Sequence, residues 1–299
     1  MKRYGPEISD VVVDYDPTTL ARRDVIKREA IDRLPRKAQR IASVLAARGE
    51  TFDPDVVDGV LLRSHLELQR LHEEFRVGEL MRQLLVPVID LVARAHDGPI
   101  RVVDLGCGLG FITRWLARHG KLDGRIELIG ADYNRTLVRA AQRLADEEGL
   151  GCRFVVANAF ALTEPAHVVI STGVLHHFRG EALAAVFREH ARSGVAAFVH
   201  LDIRPSFIAP IGSWIFHRAR MREPLAQFDG YWSTVRAHHA RTLVAAAREA
   251  NAYTLATIDT RAGLLALIRI FQAVVGVRGF DAASLAAAFA PLGARYAAC

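Results

Sequence analysis

Cysteine is scarce in this chain, with three in 299 residues, at positions 107, 152 and 299. None stands at metal-site spacing and the three do not form a disulfide framework, so no metal is expected and a reducing compartment is the simple reading. No apolar run approaches the roughly 20 residues of a membrane-crossing helix. The opening Met1-Lys-Arg-Tyr-Gly-Pro lacks the apolar stretch of a signal peptide. A cytoplasmic protein without a transmembrane segment is therefore expected. Internal repeats and low-complexity linkers are also missing. Acidic residues are few where basic ones crowd: between Ala21 and Arg48 there are nine basic residues against three acids. That excess equals the +6 of the whole chain, so the remainder is near neutral and a broad nucleic-acid surface across it is not expected.

What is present begins with bulk. Half the residues (51%) are hydrophobic, enough for a sizeable core in one large domain with an accessory piece, or in two small domains. The most informative stretch is Ile100–Gly110, Ile-Arg-Val-Val-Asp-Leu-Gly-Cys-Gly-Leu-Gly. A β-branched run enters an acid and then three glycines at alternate positions, and Phe111–Gly120 continues with helical spacing. The pattern predicts a buried strand, a tight turn and a helix start. Glycine there tolerates positive φ and lets a ligand approach bare backbone.

The dinucleotide fingerprint needs glycine at the first, third and sixth places. Counting from Gly106 the sixth place is Phe111, and from Gly108 it is Thr113, so neither fits. No Gly-Lys-Ser/Thr follows, which excludes a P-loop here. What remains is Asp104-x-Gly-x-Gly-x-Gly110, with a second acid, Asp132, near the end of the next apolar run. This pattern resembles the first two motifs of class I S-adenosylmethionine-dependent methyltransferases, and the likeness extends to small-molecule members. It implies a Rossmann-like α/β fold: a seven-stranded, mostly parallel sheet with a reversed last strand. The implied cofactor is S-adenosylmethionine, with S-adenosylhomocysteine as product.

Residues 1–98 are expected as an N-terminal helical region, which the resemblance implies caps the substrate side. Within it Leu20 to about Ala47 reads as helix interrupted by Pro35. Asp53-Pro54 is a helix start, and Val56–His96 reads as two or more amphipathic helices. Residues 99–299 are expected as the methyltransferase domain. Its strands are placed at Ile100–Leu105, Ile126–Ala131, Cys152–Ala157, His167–Ser171, Val195–Leu201, Tyr253–Ile258 and Leu264–Val275. A lid-like aromatic insert is expected at about 205–232, with a helix at Thr234–Ala250 and a short helix in the Ala-rich tail after Gly279.

Ligands in open α/β sheets sit beyond the carboxyl ends of the strands. Asp104, Asp132, Asn158 and Ser171–Thr172 fall at four such ends. The resemblance implies that Asp132 accepts from the ribose hydroxyls and that Gly106, Gly108 and Gly110 face the methionine part. Asp104 would fix the turn and the amino group, and Asn158, Ala159 and Phe160 would contact adenine. Cys107 reads as a small residue inside the turn. Arg76 is open between the cofactor carboxylate and plain solvation. For chemistry, His176, His177 and Asp202 stand after the fourth and fifth strands, where an imidazole can take a proton near neutral pH and a carboxylate can orient it. The role of His200 is open, and His238 and His239 read as surface or packing residues. The expected partner is a small, partly apolar acceptor. Action on RNA or protein through the basic arm, or a non-catalytic cofactor-binding module, stays open beside it, and the oligomeric state is undetermined.

Overall fold

In a computed structural model of the chain, the structure describes residues 51–260 and 270–299 continuously. Before residue 51 it describes 14–15, 22–23, 31–32, 36–43, 45 and 47–48. The chain divides into two units, residues 70–206 with 237–299, and residues 1–69 with 207–236.

The larger unit is built on strands β1 (Ile100–Leu105), β2 (Ile126–Asp132), β3 (Arg153–Val156), β4 (Val168–Thr172), β5 (Ala197–Ile203), β6 (Thr254–Asp259), β7 (Phe271–Val277) and β8 (Tyr296–Ala298). They form one sheet in the order β8-β6-β7-β5-β4-β1-β2-β3. The strands β1 to β5 pair in parallel, while β7 is antiparallel to both β5 and β6. Chain order reverses beside β1, which opens a crevice at the carboxyl ends of β1 and β4.

Alternation along the strands fills both faces. Val102, Val168, Ile170, Val199 and Leu201 belong to one core, and Val103, Leu105, Val169 and Phe198 to the other. The first is covered by helix α3 (Val77–Ala93), through Leu80, Met81, Leu84, Leu85 and Val88, and by α4 (Phe111–His119), through Ile112 and Leu116. The second is covered by α6 (Glu181–Arg192) and α9 (Ala240–Arg248), including fully buried Phe187. A sheet buried on both faces is what near-continuous apolar strands require. Helix α5 (Arg135–Glu147) is capped by Asn134, whose Oδ1 accepts from the N–H groups of Thr136 and Leu137 at 2.9 and 3.2 Å.

In the smaller unit, α1 (Arg36–Ser43) and the first part of α2 (Pro54–Glu74) share a core with α8 (Pro224–Arg236): Ala38, Ala42, Phe52, Val57, Val60 and Leu61 meet Leu225 and Phe228. Pro54 opens α2 as expected, and Asp53 Oδ1 accepts from the Asp55 N–H at 3.0 Å. Helix α7 (Ala209–Arg220) precedes α8.

Several details differ from expectation. Among the described residues the sheet has eight strands, because Tyr296–Ala298 pairs antiparallel with β6 after the short helix α10 (Ala282–Ala288). One division between the compact units falls between residues 69 and 70, and α3 presents its apolar residues to the sheet. The single helix expected at Thr234–Ala250 is two, broken at His239, whose extended backbone caps α9. The last long strand begins at Phe271, and Leu264–Arg269 lies outside the described residues. About half of the basic arm 20–48 also lies outside them. Of its described part, Arg22–Arg23 pairs with Asp14–Tyr15 as a two-residue ladder rather than continuing a helix.

Candidate active site

The glycine turn is held from within. Gly106 and Cys107 N–H groups both donate to the Ala131 carbonyl, at 2.7 and 3.1 Å, and the Gly108 N–H donates to Asp132 Oδ2 at 2.9 Å. Asp132 Oδ1 accepts from the Asn134 N–H at 2.8 Å. The buried Asp132 carboxylate thus ties the turn after β1 to the start of α5. All three glycines have positive φ (70°, 55° and 70°). Their roles differ. A Cβ at Gly106 would come within 2.6 Å of Val174, and one at Gly110 within 2.2 Å of the Phe154 ring. Gly110 therefore serves close packing of α4 on β3. Cys107 also packs inward, where burial pushes its thiol well above the ordinary range.

Asp104 is buried beneath this turn and accepts from Thr113 Oγ1 at 2.8 Å. Burial pushes its carboxyl up to about 7; the Thr113 hydrogen bond pulls it down and the Asp132 charge pushes it further up. Buried Arg114 clamps the same loop, its Nε donating to the Leu109 carbonyl at 3.3 Å and its guanidinium pairing with Glu148. Neither Thr113 nor Arg114 stood out in the sequence, because both lie in an ordinary helical pattern.

At the end of β3, Asn158 Oδ1 accepts from the Phe160 N–H at 2.9 Å, and Ala157 N–H reaches the Asp132 carbonyl at 3.0 Å. Asn158 and Ala159 are half-buried, whereas Phe160 is exposed and meets Phe178 edge to face at 5.1 Å. Tyr133, directly after Asp132, is also exposed.

Ser171 and Thr172 part company, as successive strand residues must. Ser171 turns its hydroxyl away to His200 Nδ1 at 2.8 Å, and His200 Nε2 meets His190 Nε2 at 3.1 Å. Burial drops the pKa of His190 to about 4 and holds that of His200 well below the usual imidazole range, so this pair is neutral and interior. Thr172 Oγ1 is buried without a hydrogen-bond partner.

The second such atom is His176 Nε2. The His176 ring is buried, and its Nδ1–H donates to Asp202 Oδ1 at 2.7 Å while its backbone N–H donates to Asp202 Oδ2 at 2.9 Å. Asp202 also accepts from the Ile203 N–H at 2.6 Å. Burial pushes the Asp202 carboxyl up, but the adjacent His176 ring and these hydrogen bonds outweigh it and hold the pKa below the usual range. The ionised carboxylate fixes the Nδ1–H tautomer and leaves Nε2 with its lone pair. His177 is exposed, and its ring is tilted at 35° to that of His176 with the centroids 4.3 Å apart. His238 is half-buried, and its Nε2–H donates to the Phe178 carbonyl at 2.8 Å.

Residues 102–194 match a family model described as a methyltransferase domain. Over that stretch the chain carries a methyltransferase domain. A methyltransferase domain implies S-adenosylmethionine as the methyl donor and S-adenosylhomocysteine as the product. No curated protein matches the chain in sequence. Among solved structures it is similar to the magnesium protoporphyrin IX methyltransferase of Synechocystis PCC 6803 with bound S-adenosylhomocysteine. That likeness has 19% identity, a TM-score of 0.49, and covers 76% of this chain and 100% of the other. It is similar also to a methyltransferase of Aquifex aeolicus (12%, TM-score 0.44, covering 60% and 83%) and to a protein of echinomycin biosynthesis, in conversion of a disulfide to a thioacetal (23%, 0.44, 65% and 81%). Likenesses at this level carry no argument about the acceptor.

The methyltransferase domain's residues fit the cofactor on their own terms. Thr172 Oγ1, at the end of β4, and His176 Nε2, just after it, are two of the five buried polar side-chain atoms without a hydrogen-bond partner among the described residues. Beside the turn a cavity of about 190 Å³ is lined by His72, Glu73, Arg76, Gly78, Glu79, Phe111 and Trp115. Exposed Arg76 is thus on the wall of a cleft that starts at the residue after Gly110.

Proposed function

We propose that the enzyme methylates a small, partly apolar molecule and that His176 is the base that takes the acceptor's proton. When bound, the cofactor supplies an activated methyl on a sulfonium, so the protein must chiefly align the acceptor, exclude water and remove a proton. Asp132 and Asn158 would hold the ribose and adenine, and Asp104 the amino group. Asp202 is a positioning residue: with both oxygens committed to His176 it keeps the ring in one tautomer. His177, by contrast, is exposed to water.

The observation that carries the reading is the buried Nε2 of His176 without a partner. Leaving a buried nitrogen unsatisfied costs on the order of 1–3 kcal/mol, which a ligand proton donor would recover. The ring is close to the cofactor turn: a Cβ at Gly173 would sit 3.9 Å from His176 Cε1, and the next residue, Val174, covers Gly106. A base only 3% exposed suits a hydroxyl, amine or thiol on a small molecule better than a broad macromolecular surface.

The test is methyl transfer from labelled S-adenosylmethionine into fractionated metabolites, RNA and protein. Label is expected in a small apolar fraction. With that acceptor, His176→Asn should lower kcat by about 10²–10⁴-fold while cofactor affinity holds. Label confined to RNA or protein would overturn the acceptor class, and an unchanged kcat in His176→Asn would overturn the base.

A further inference from the structure

Helix α7 wears its apolar side outward. Phe207, Ile208, Ile211, Trp214 and Ile215 are 96, 70, 61, 48 and 57% exposed, and no residue of the helix is buried. The docked face is the polar one. Ser213 Oγ donates to the Gly230 carbonyl of α8 at 2.7 Å, and His217 fills the space where a Gly230 Cβ would stand, 2.1 Å from its ring. Within the helix Ile211, Trp214, Ile215 and Arg218 fall at i, i+3, i+4 and i+7, a single stripe, with Phe207 exposed just before it. A helix facing water has its apolar stripe inward. This one is reversed, and a contiguous exposed apolar stripe of this kind marks an interaction surface.

The charge beside the stripe identifies the occupant. Between Ile203 and Arg222 there is no Asp or Glu, while Arg218, Arg220 and Arg222 are exposed. The Arg218 guanidinium lies 5.6 Å from the Trp214 ring centroid. Tryptophan beside arginine is the pairing suited to the headgroup level of a bilayer, where the ring sits at the boundary and the cation meets phosphate. A 12-residue helix is too short to cross, and among the described residues no helix is long and apolar enough to do so. Pairing of this face with a second copy would bring its arginines toward their own kind without an acid in the stretch to meet them.

We propose that α7 docks the enzyme on an anionic lipid bilayer, lying in the interface plane with Phe207, Ile211, Trp214 and Ile215 among the acyl chains and Arg218, Arg220 and Arg222 at the phosphates. The docking is independent of which atom the enzyme methylates.

Co-sedimentation of the full chain with vesicles tests it. Wild type should bind phosphatidylglycerol–phosphatidylcholine vesicles at least about tenfold more tightly than phosphatidylcholine alone. Phe207→Ser with Ile211→Ser and Trp214→Ser should weaken that binding at least about tenfold, through lost apolar burial. Arg218→Glu with Arg222→Glu should abolish the preference for the anionic vesicle. Both variants should keep wild-type affinity for S-adenosylhomocysteine, which reports folding of the sheet unit. Failure of wild type to bind either vesicle would overturn the proposal, as would equal binding by the triple variant. A dimer that the triple substitution dissociates, with no vesicle binding, would assign the face to self-association instead.

Discussion

The strand-end crevice of the sheet unit and the outer face of α7 break the usual partition of residues in opposite directions. In the crevice, polar groups are taken out of water: Asp104, Asp132, Asp202 and His176 are all at most 5% exposed. On α7, large apolar groups are left in it. Each departure costs stability, and each is confined to a short stretch of an otherwise ordinary pattern. The crevice polar groups are almost wholly satisfied by one another and by backbone, so what remains unsatisfied points to a ligand. The apolar face has a polar underside that is well bonded, so what remains uncovered points to a surface. Function is read from the residue of the accounting in both cases.

Stability should separate the two regions sharply. Phe187→Ala, in the core below the sheet, should cost about 3–5 kcal/mol by chemical denaturation. Gly110→Ala should cost about as much, because the methyl meets the Phe154 ring at a backbone φ of 70°. Cutting the ring back with Phe154→Leu should recover part of that loss. Ile211→Ala, on the exposed face, should change stability by no more than about 0.5 kcal/mol. A large loss at Ile211 would mean the face is covered within the protein.

The pH dependence of stability sharpens the comparison within the sheet unit. Asp104, raised to about 7, binds its proton more tightly when folded, so its contribution to stability falls as pH rises from about 4 to 7. His190, lowered to about 4, binds its proton less tightly when folded, so its contribution falls as pH drops from about 6.5 toward 4. The two oppose each other over the same window. Asp104→Asn should therefore leave a protein whose stability rises with pH across that window, measured as denaturation midpoints; a slope unchanged from wild type would show that Asp104 is ionised throughout.

The smallest expected effect concerns tautomer control. Asp202→Asn keeps the volume but offers Nδ1 a weaker, ambiguous partner, and should lower kcat with little change in KM and alter the kcat–pH profile. A parallel rise in KM would make Asp202 part of acceptor binding.

Much of this was legible in the residues. The glycine turn, the acid after β2 and the helix start at Asp53-Pro54 follow from backbone requirements that only certain residues meet, and the structure places them as expected. The pairing of His176 with Asp202 was partly legible, since both follow neighbouring strands, but choosing His176 over His177 needed burial. The interior course of Ser171 to His200 and His190 was not legible, because strand alternation is known only once the strand's first residue is fixed. Helix α3 gave the right pattern and the wrong address: its stripe specifies burial without saying against what. The eighth strand was hidden in a three-residue stretch, too short for any period. The reversal on α7 was hidden for a different reason, since an amphipathic pattern does not say which side faces inward.

The central claim is that the turn after β1 and the carboxylate after β2 form one cofactor site, and titration calorimetry with S-adenosylhomocysteine tests it most directly. Wild type should bind, with NAD giving no heat, and Asp132→Asn, which keeps the volume and loses the charge, should lower affinity by about tenfold to a hundredfold. Equal affinity in wild type and Asp132→Asn would contradict the account.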